Sequence, residues 1–315
     1  MSSASTNPKY GKGEVEISLE DQLDSGIAEF GAELSQLFSS PRYQPPALPA
    51  IALKVMEMAR RPKVEFDELA KTIEQDSLLA AKVMTRAQSP IYAGTSPVRS
   101  LRQAAVRMGV GGLRDLVVEV AMNMRVFRSP ALEKQMGLLR NHSLATAHCA
   151  RMVCRYASLD AEFAFLCGLL HDVGIAAIFA ALGEGKLKSR PKNPIALWSA
   201  IDQSHHEAGG IIAKLWKLPD DLAFTIAFHH QPIQGGYAHP LISVLCVAQD
   251  LAGQIGASMD GILPGDEEKR VVDSVADQTS REALIRGRDS LRLTPQQDAL
   301  MERELLKLKD AMGKE

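Results

Sequence analysis

Apolar residues recur with a helical period along almost all of this 315-residue chain. The stretch ISLEDQLDSGIAEFGAELSQLF (17–38) sets Ile17, Leu19, Leu23, Ile27, Phe30, Leu34 and Leu37 on one stripe, which predicts an amphipathic helix. It ends at SSPRYQPPALP, where clustered prolines withhold backbone donors and forbid a helix. Short helices are then expected at 48–60, 66–75, 77–88, 99–108 and 112–127. A second block holds 140–157, 161–181, 194–217, 220–230 and 240–256. No alternating pattern exceeds four residues, so the expected class is all-α, a multi-helix bundle. After MDGILPGDEEKR the chain turns charged and helical again, with Thr294 as N-cap and Pro295 at the first helical position.

These breaks divide the chain into a flexible tail (1–16), an N-terminal helix (17–40), a central domain (41–257) and a helical extension (258–315). The central domain splits into halves at 41–130 and 131–257, and the extension is expected to pack on the domain or a partner.

Composition narrows the function. The chain is 46% hydrophobic with net charge −2, so no global field favours nucleic acid or membrane. The start, MSSASTNPKYGKGEVE, lacks a signal-peptide core, and no apolar run is read as long enough to span a bilayer. Cys149, Cys154, Cys167 and Cys246 form no C-x-x-C pair and read as reduced, buried thiols of a cytoplasmic protein. Residues 82–128 carry eight Lys/Arg against Asp115 and Glu119, with Arg99, Arg102, Arg107 and Arg114 as candidate phosphate or partner contacts. Interleaved aromatics are missing there, so a solvated helix face is the commoner explanation and nucleic acid is not expected.

The chemistry concentrates in histidines. All eight lie between 142 and 239, and FLCGLLHDVGIAAIF (165–179) sets His171 and Asp172 inside an apolar run. A buried carboxylate there needs a cation or strong hydrogen bonds. Helical geometry sorts the rest. His205 shares a face with Gly209, Ile212 and Trp216 and points inward, whereas His206 lies with Gly210, Ala213 and Lys217 on a face expected to reach solvent. His142 aligns with Ala145, Thr146, Cys149 and Val153. His148 lies with Arg151 and Arg155 and reads as a surface residue, and His239 before Pro240 as structural. His229 and His230 both point inward at a helix end. Any one of these histidines alone would read as a satisfied core residue. Together, His142, His171, Asp172, His205, His229 and His230 make a plausible site for iron, manganese or zinc, with Asp172 placed to bridge two ions. Gly168, one turn earlier, leaves room for another helix.

In this order the series resembles the H…HD…H…H pattern of the HD superfamily of metal-dependent phosphohydrolases. More narrowly, the chain resembles the HD-related output domain (HDOD) family, through 48–94, AAVRMGVGGLRDLVVEVAM (104–122) and HEAGGIIAKLWKLPDDLAFTIAFHHQP (206–232). The likeness runs over about residues 44–256. It implies an HD-like helical bundle and a signalling output or scaffold role, with signalling proteins, a nucleotide ligand or a second copy as candidate partners. Against the catalytic HD-GYP branch, which cleaves cyclic di-GMP, Ile175 stands where that branch has lysine and Leu138 where it has glutamate. Gln249 stands in place of the superfamily's last aspartate ligand. Gln249 and neighbouring Asp250 are the candidates to complete the shell. The alternative is an active metal-dependent phosphohydrolase or phosphodiesterase on a nucleotide or phosphomonoester, with Asp250 turned inward.

Overall fold

The computed structural model describes residues 19–46, 50–59, 65–92, 97–122, 126–191, 194–259 and 281–312. The expected tail at 1–16 lies outside the described residues. The helices are α1 (Leu19–Ser39), α2 (Ala50–Ala59), α3 (Phe66–Glu74), α4 (Ser77–Ala87), α5 (Leu101–Ala121), α6 (Glu133–Ala157) and α7 (Ala161–Leu170). They continue with α8 (Val173–Gly183), α9 (Pro194–Leu215), α10 (Asp220–Phe228), α11 (Pro240–Gln254), α12 (281–291) and α13 (Pro295–Met312). Among the described residues the sheet content is one antiparallel pair, Ile233–Gln234 with Tyr237–Ala238. The protein is all-α apart from that hairpin.

Two main hydrophobic cores form. Val55, Met58, Leu69, Ile73, Leu79 and Val83 of α2–α4 pack against Leu113 and Val117 of α5. The larger core gathers Phe30 and Leu34 of α1 with Met136, Phe165, Ile178, Ile201, Ile226 and Leu245, and Met301 of α13 closes it. Helix α5 belongs to both, since Val118 on its other side joins the larger core. Gly109 (φ 71°, ψ 169°) kinks α5, a backbone conformation that a side chain resists, and this accounts for the break expected after residue 108.

The seam between the cores is ionic. Arg86 pairs with Glu119 at 2.8 Å, and Asp115 accepts from Arg114 Nε at 2.9 Å and Nη2 at 2.7 Å and also pairs with Arg151. Arg151 stacks over Phe165, and His148 meets the edge of the same ring with centroids 5.2 Å apart. This corrects two expectations. His148 is half-buried in the seam rather than on the surface, and Arg114 is buried on Asp115 rather than offered to an anion. Exposed Arg102 pairs with exposed Asp67 at 2.6 Å, Arg99 is exposed and Arg107 is half-buried.

A second correction concerns the expected helix 161–181. Phe163–Gly183 is long and apolar enough to cross a membrane by composition, with hydropathy 2.0, contrary to the reading that no run was. It is 89% buried, and it is two helices broken by a turn at His171–Asp172. Asp172 is the residue before α8, and its carbonyl accepts from Ile175 and Ala176. Its carboxylate makes no capping bond, forgoing about 0.5–2 kcal/mol of helix stabilisation. Two glycines let neighbouring helices close on this turn. A Cβ on Gly168 would lie 2.7 Å from Ala147 Cα of α6, and one on Gly174 would overlap the His205 carbonyl oxygen of α9.

The outer helices are tied on by polar contacts. Glu33 of α1 accepts from the Lys188 and Ser189 amides at 2.8 and 2.7 Å, and Trp216 Nε1 donates to the Pro46 carbonyl. Thr294 and Gln297 exchange bonds as a capping box at the start of α13. Glu304 then accepts from Arg155 and Tyr156 of α6, so this part of the extension packs on the domain.

Gly174→Ala is expected to destabilise the fold by about 1–3 kcal/mol through overpacking against α9. Gly26→Ala, where nothing lies within 4 Å of the added methyl, should stabilise by roughly 0.5–1 kcal/mol. Urea midpoints of the two variants check both signs. Burial, and Arg86 beside it, push the His148 imidazole down from 6.5 to about 4. Its folded value lies below its unfolded one, so its contribution is complete above pH 6.5 and is lost as pH falls from 6.5 towards 4. Stability measured across that window should fall less steeply in His148→Gln.

Candidate metal centre

The site is assembled from helix ends. The last carbonyls of an α-helix lack intrahelical partners, and two of the histidines sit where they can satisfy one. At the end of α7, His171 Nδ1 bonds the Gly168 carbonyl at 2.7 Å. At the end of α10, His229 Nδ1 bonds the Ile226 carbonyl at 2.8 Å. His205 Nδ1 reaches the Asp202 carbonyl at 2.6 Å on α9, and His142 Nδ1 of α6 reaches the Ala257 carbonyl at 2.8 Å. A carbonyl only accepts, so each ring carries a proton on Nδ1 and, in its neutral form, turns a lone pair outward on Nε2.

All four lone pairs face Asp172. The Nε2 atoms of His171 and His142 lie 3.1 and 3.6 Å from Oδ2, and those of His229 and His205 lie 3.3 and 3.7 Å from Oδ1. His205 and His229 set their Nε2 atoms 3.3 Å apart, with neither carrying a proton to share. Asp172, His171, His205, His229 and His142 are all buried. Desolvation alone would raise the Asp172 carboxyl; positive charge and donated hydrogen bonds from His171 and His229 would hold it well below the usual carboxylate range, and with those rings neutral that part falls to a cation. Burial, with His230 beside it, pushes His229 well below the usual histidine range. Acceptors thus converge on acceptors, and His171 Nε2 has no hydrogen-bond partner among the described residues. That donor set fits a divalent cation, whose charge would turn the repulsion into coordination. The halves divide by carboxylate oxygen, His142 and His171 on one and His205 and His229 on the other.

His230 stands at the rim, where its Nε2 meets Gln249 Oε1 at 3.0 Å. Gln249 therefore holds a histidine. Burial, then His205, bring His230 down to about 4. Asp250 does not turn inward: its carboxylate accepts from Gln254 at 2.9 Å. Ile175 is buried and Leu138 half-buried, so neither position supplies charge.

Sequence geometry missed two neighbours. His206, read as solvent-facing, is half-buried and stacks on His229 with centroids 4.6 Å apart. The overlooked signal is Gly210 one turn on, which lets α9 close to 3.2 Å of Ala227 for an added Cβ and turns that face toward α10. Asp202, one turn before His205, places its carboxylate 3.9 Å from His205 Nδ1 and favours the charged form of His230. His239 caps α11, accepting from the Ile242 amide at 3.3 Å, as a structural histidine would.

Comparison with known proteins places the chain among helical domains of one family. The sequence pattern described as HDOD domain matches residues 46–232. An HDOD domain protein of unknown function from Geobacter sulfurreducens superposes with TM-score 0.64 at 23% identity, covering 91% of this chain and 98% of that one. A proposed signal transduction protein from Marinobacter aquaeolei superposes with TM-score 0.57 at 18% identity, covering 95% of this chain and 68% of that one. Ribonuclease Y of Mycoplasma genitalium is 26% identical over 266 residues, 76% of this chain. This chain spans only 49% of that curated relative's length.

Elemental analysis of purified protein loaded with iron, manganese or zinc is expected to find clearly less metal per chain in Asp172→Ala than in the wild type, because the variant lacks the carboxylate at the centre of the donor set. His148→Ala, in the seam between the cores, should keep the wild-type content. Equal loss in both variants would place the metal elsewhere.

Proposed function

The chain belongs to the HDOD domain family, and on that premise we propose that it is a signal-transduction output or scaffold protein that keeps a metal centre without turnover. The observation that carries this reading is the state of Gln249. A metal hydrolase needs an ionised shell around its water and a positive group or second ion on the phosphate. Gln249, in the place of the superfamily's last aspartate ligand, is neutral and spends its oxygen on His230. Ile175, in the place of the catalytic branch's lysine, is buried and apolar. His142, His171, Asp172 and His205 with His229 would hold the ion, and Asp172 is the carboxylate at its centre. When bound, the ion would supply fixed positive charge that locks α6, α7, α9 and α10 together.

In this reading residues 41–257 are the working unit, with halves at 41–130 and 131–257, and 258–315 are an appended extension. The protein works in the cytoplasm, its partners are signalling proteins, and a nucleotide or a second copy of the chain is the further candidate. Exposed Arg99 is one cation open to such a partner, while exposed Arg102 already pairs with Asp67.

One observation favours a hydrolase instead: a curated relative bears the name ribonuclease Y, and the histidines with Asp172 are the metal-holding part of such a site. In that reading a metal-activated water attacks a nucleotide phosphodiester or a phosphomonoester.

The two readings part on a single assay. With added iron or manganese, hydrolysis of cyclic di-GMP, of a phosphomonoester and of single-stranded RNA is expected to stay at the level of Asp172→Ala. Metal-dependent turnover that vanishes in that variant would replace the scaffold reading with the hydrolase one. Gln249→Asp with Ile175→Lys restores the two missing charges, and any gain of hydrolysis above the wild type would support this account of what was lost.

A further inference from the structure

His206 has no place in the four-histidine arrangement around Asp172, yet it is packed into it. Its ring lies 3.8 Å from His205, 4.6 Å from His229 and 4.9 Å from His230, centroid to centroid. Its Nε2 is buried with no hydrogen-bond partner among the described residues. A half-buried imidazole with an unpartnered, water-excluded nitrogen costs stability unless something binds that nitrogen. The other three rings are what binds alongside it. His205, His206, His229 and His230 each offer one nitrogen, and these atoms lie within 4.8 Å of one another. Two of them, the Nε2 atoms of His205 and His229, are already 3.3 Å apart. Two ligands of one tetrahedral zinc ion, each at about 2.0–2.1 Å, stand roughly that far apart.

We propose that His206 is a further ligand, completing a four-imidazole position beside the one made by His142, His171 and Asp172, and closing it to exogenous ligands. The proposal rests on the metal-centre reading above and extends it. A catalytic metal keeps one coordination position open for water or substrate, whereas a structural one fills its shell from the protein. With His206 in place, this position takes four protein nitrogens and has Asp172 Oδ1 at its border. Neutral imidazoles select zinc, copper, nickel or cobalt over magnesium and manganese, which prefer oxygen donors. The helix geometry is built for it: Gly209 and Gly210 bring α9 onto Ile226 and Ala227 of α10, so consecutive histidines of α9 meet consecutive histidines at the end of α10.

Cobalt reports the arrangement through its visible bands, whose intensity and position change with coordination number. The full-length His142→Ala protein disables the neighbouring position and leaves this one. It is expected to bind cobalt in a four-coordinate form that azide does not alter. Adding His206→Ala should weaken cobalt binding at least tenfold and make the remaining bands shift with azide. His206→Leu, closer in volume, replaces the alanine variant if circular dichroism shows that one unfolded. Equal azide response with and without His206, or unchanged cobalt affinity on its removal, would overturn the proposal. Cobalt bound by the wild type but not by His142→Ala would overturn it too, because the position would not stand alone. No cobalt bound by the wild type would remove the metal-centre reading itself, and this proposal with it.

Discussion

A buried carboxylate surrounded by imidazole lone pairs is the constraint on which this structure is organised. Asp172 can stay ionised in an apolar interior only if positive charge or donors face it. The fold presents it instead with four Nε2 atoms, each committed as an acceptor by the carbonyl on the other side of its ring. Holding such an arrangement demands that helices approach closer than side chains allow. Gly168 lets α7 touch the backbone of α6, and Gly174 lets α8 touch that of α9. The break between α7 and α8 serves the same end, since a continuous helix would point His171 and Asp172 to different neighbours.

Much of this was legible in the sequence. The period of the apolar positions gave the helical class, and prolines and glycines gave several of the breaks, the kink at Gly109 among them. The five inward histidines, His142, His171, His205, His229 and His230, were recoverable because they share faces or neighbours with small or apolar residues, as His205 does with Gly209 and Ile212. Among the features that the sequence hid, three have a clear physical reason. The His171–Asp172 break was hidden because no proline interrupts 161–181 and the apolar run is continuous; what ends α7 is the packing of its neighbours. His206 reads as solvent-facing because Lys217 shares its face, yet a long lysine reaches water from a half-buried face and Gly210 turns that face to α10. His148 was assigned to the surface because Arg151 and Arg155 flank it on α6, yet Arg151 turns inward onto Asp115 and Phe165.

The ionic seam joins α5 to α4 through Arg86 and to α6 through Arg151. Arginine rather than lysine occupies it, and a planar guanidinium can pair with Asp115 and stack on Phe165 together. The candidate centre lies wholly within the larger core. Helix α5, packed into both cores, lies between that centre and α2–α4.

The bond between His142 and the Ala257 carbonyl spans 115 residues of sequence. During synthesis the ribosome must deliver the chain through α11 before that ring can settle into its tautomer. His171, by contrast, donates its Nδ1 proton to a carbonyl three residues back. The donor set is therefore completed in order along the message, with the first histidine the last to be fixed. A nascent chain stalled before Ala257 would carry the other three rings in place and His142 without its carbonyl partner.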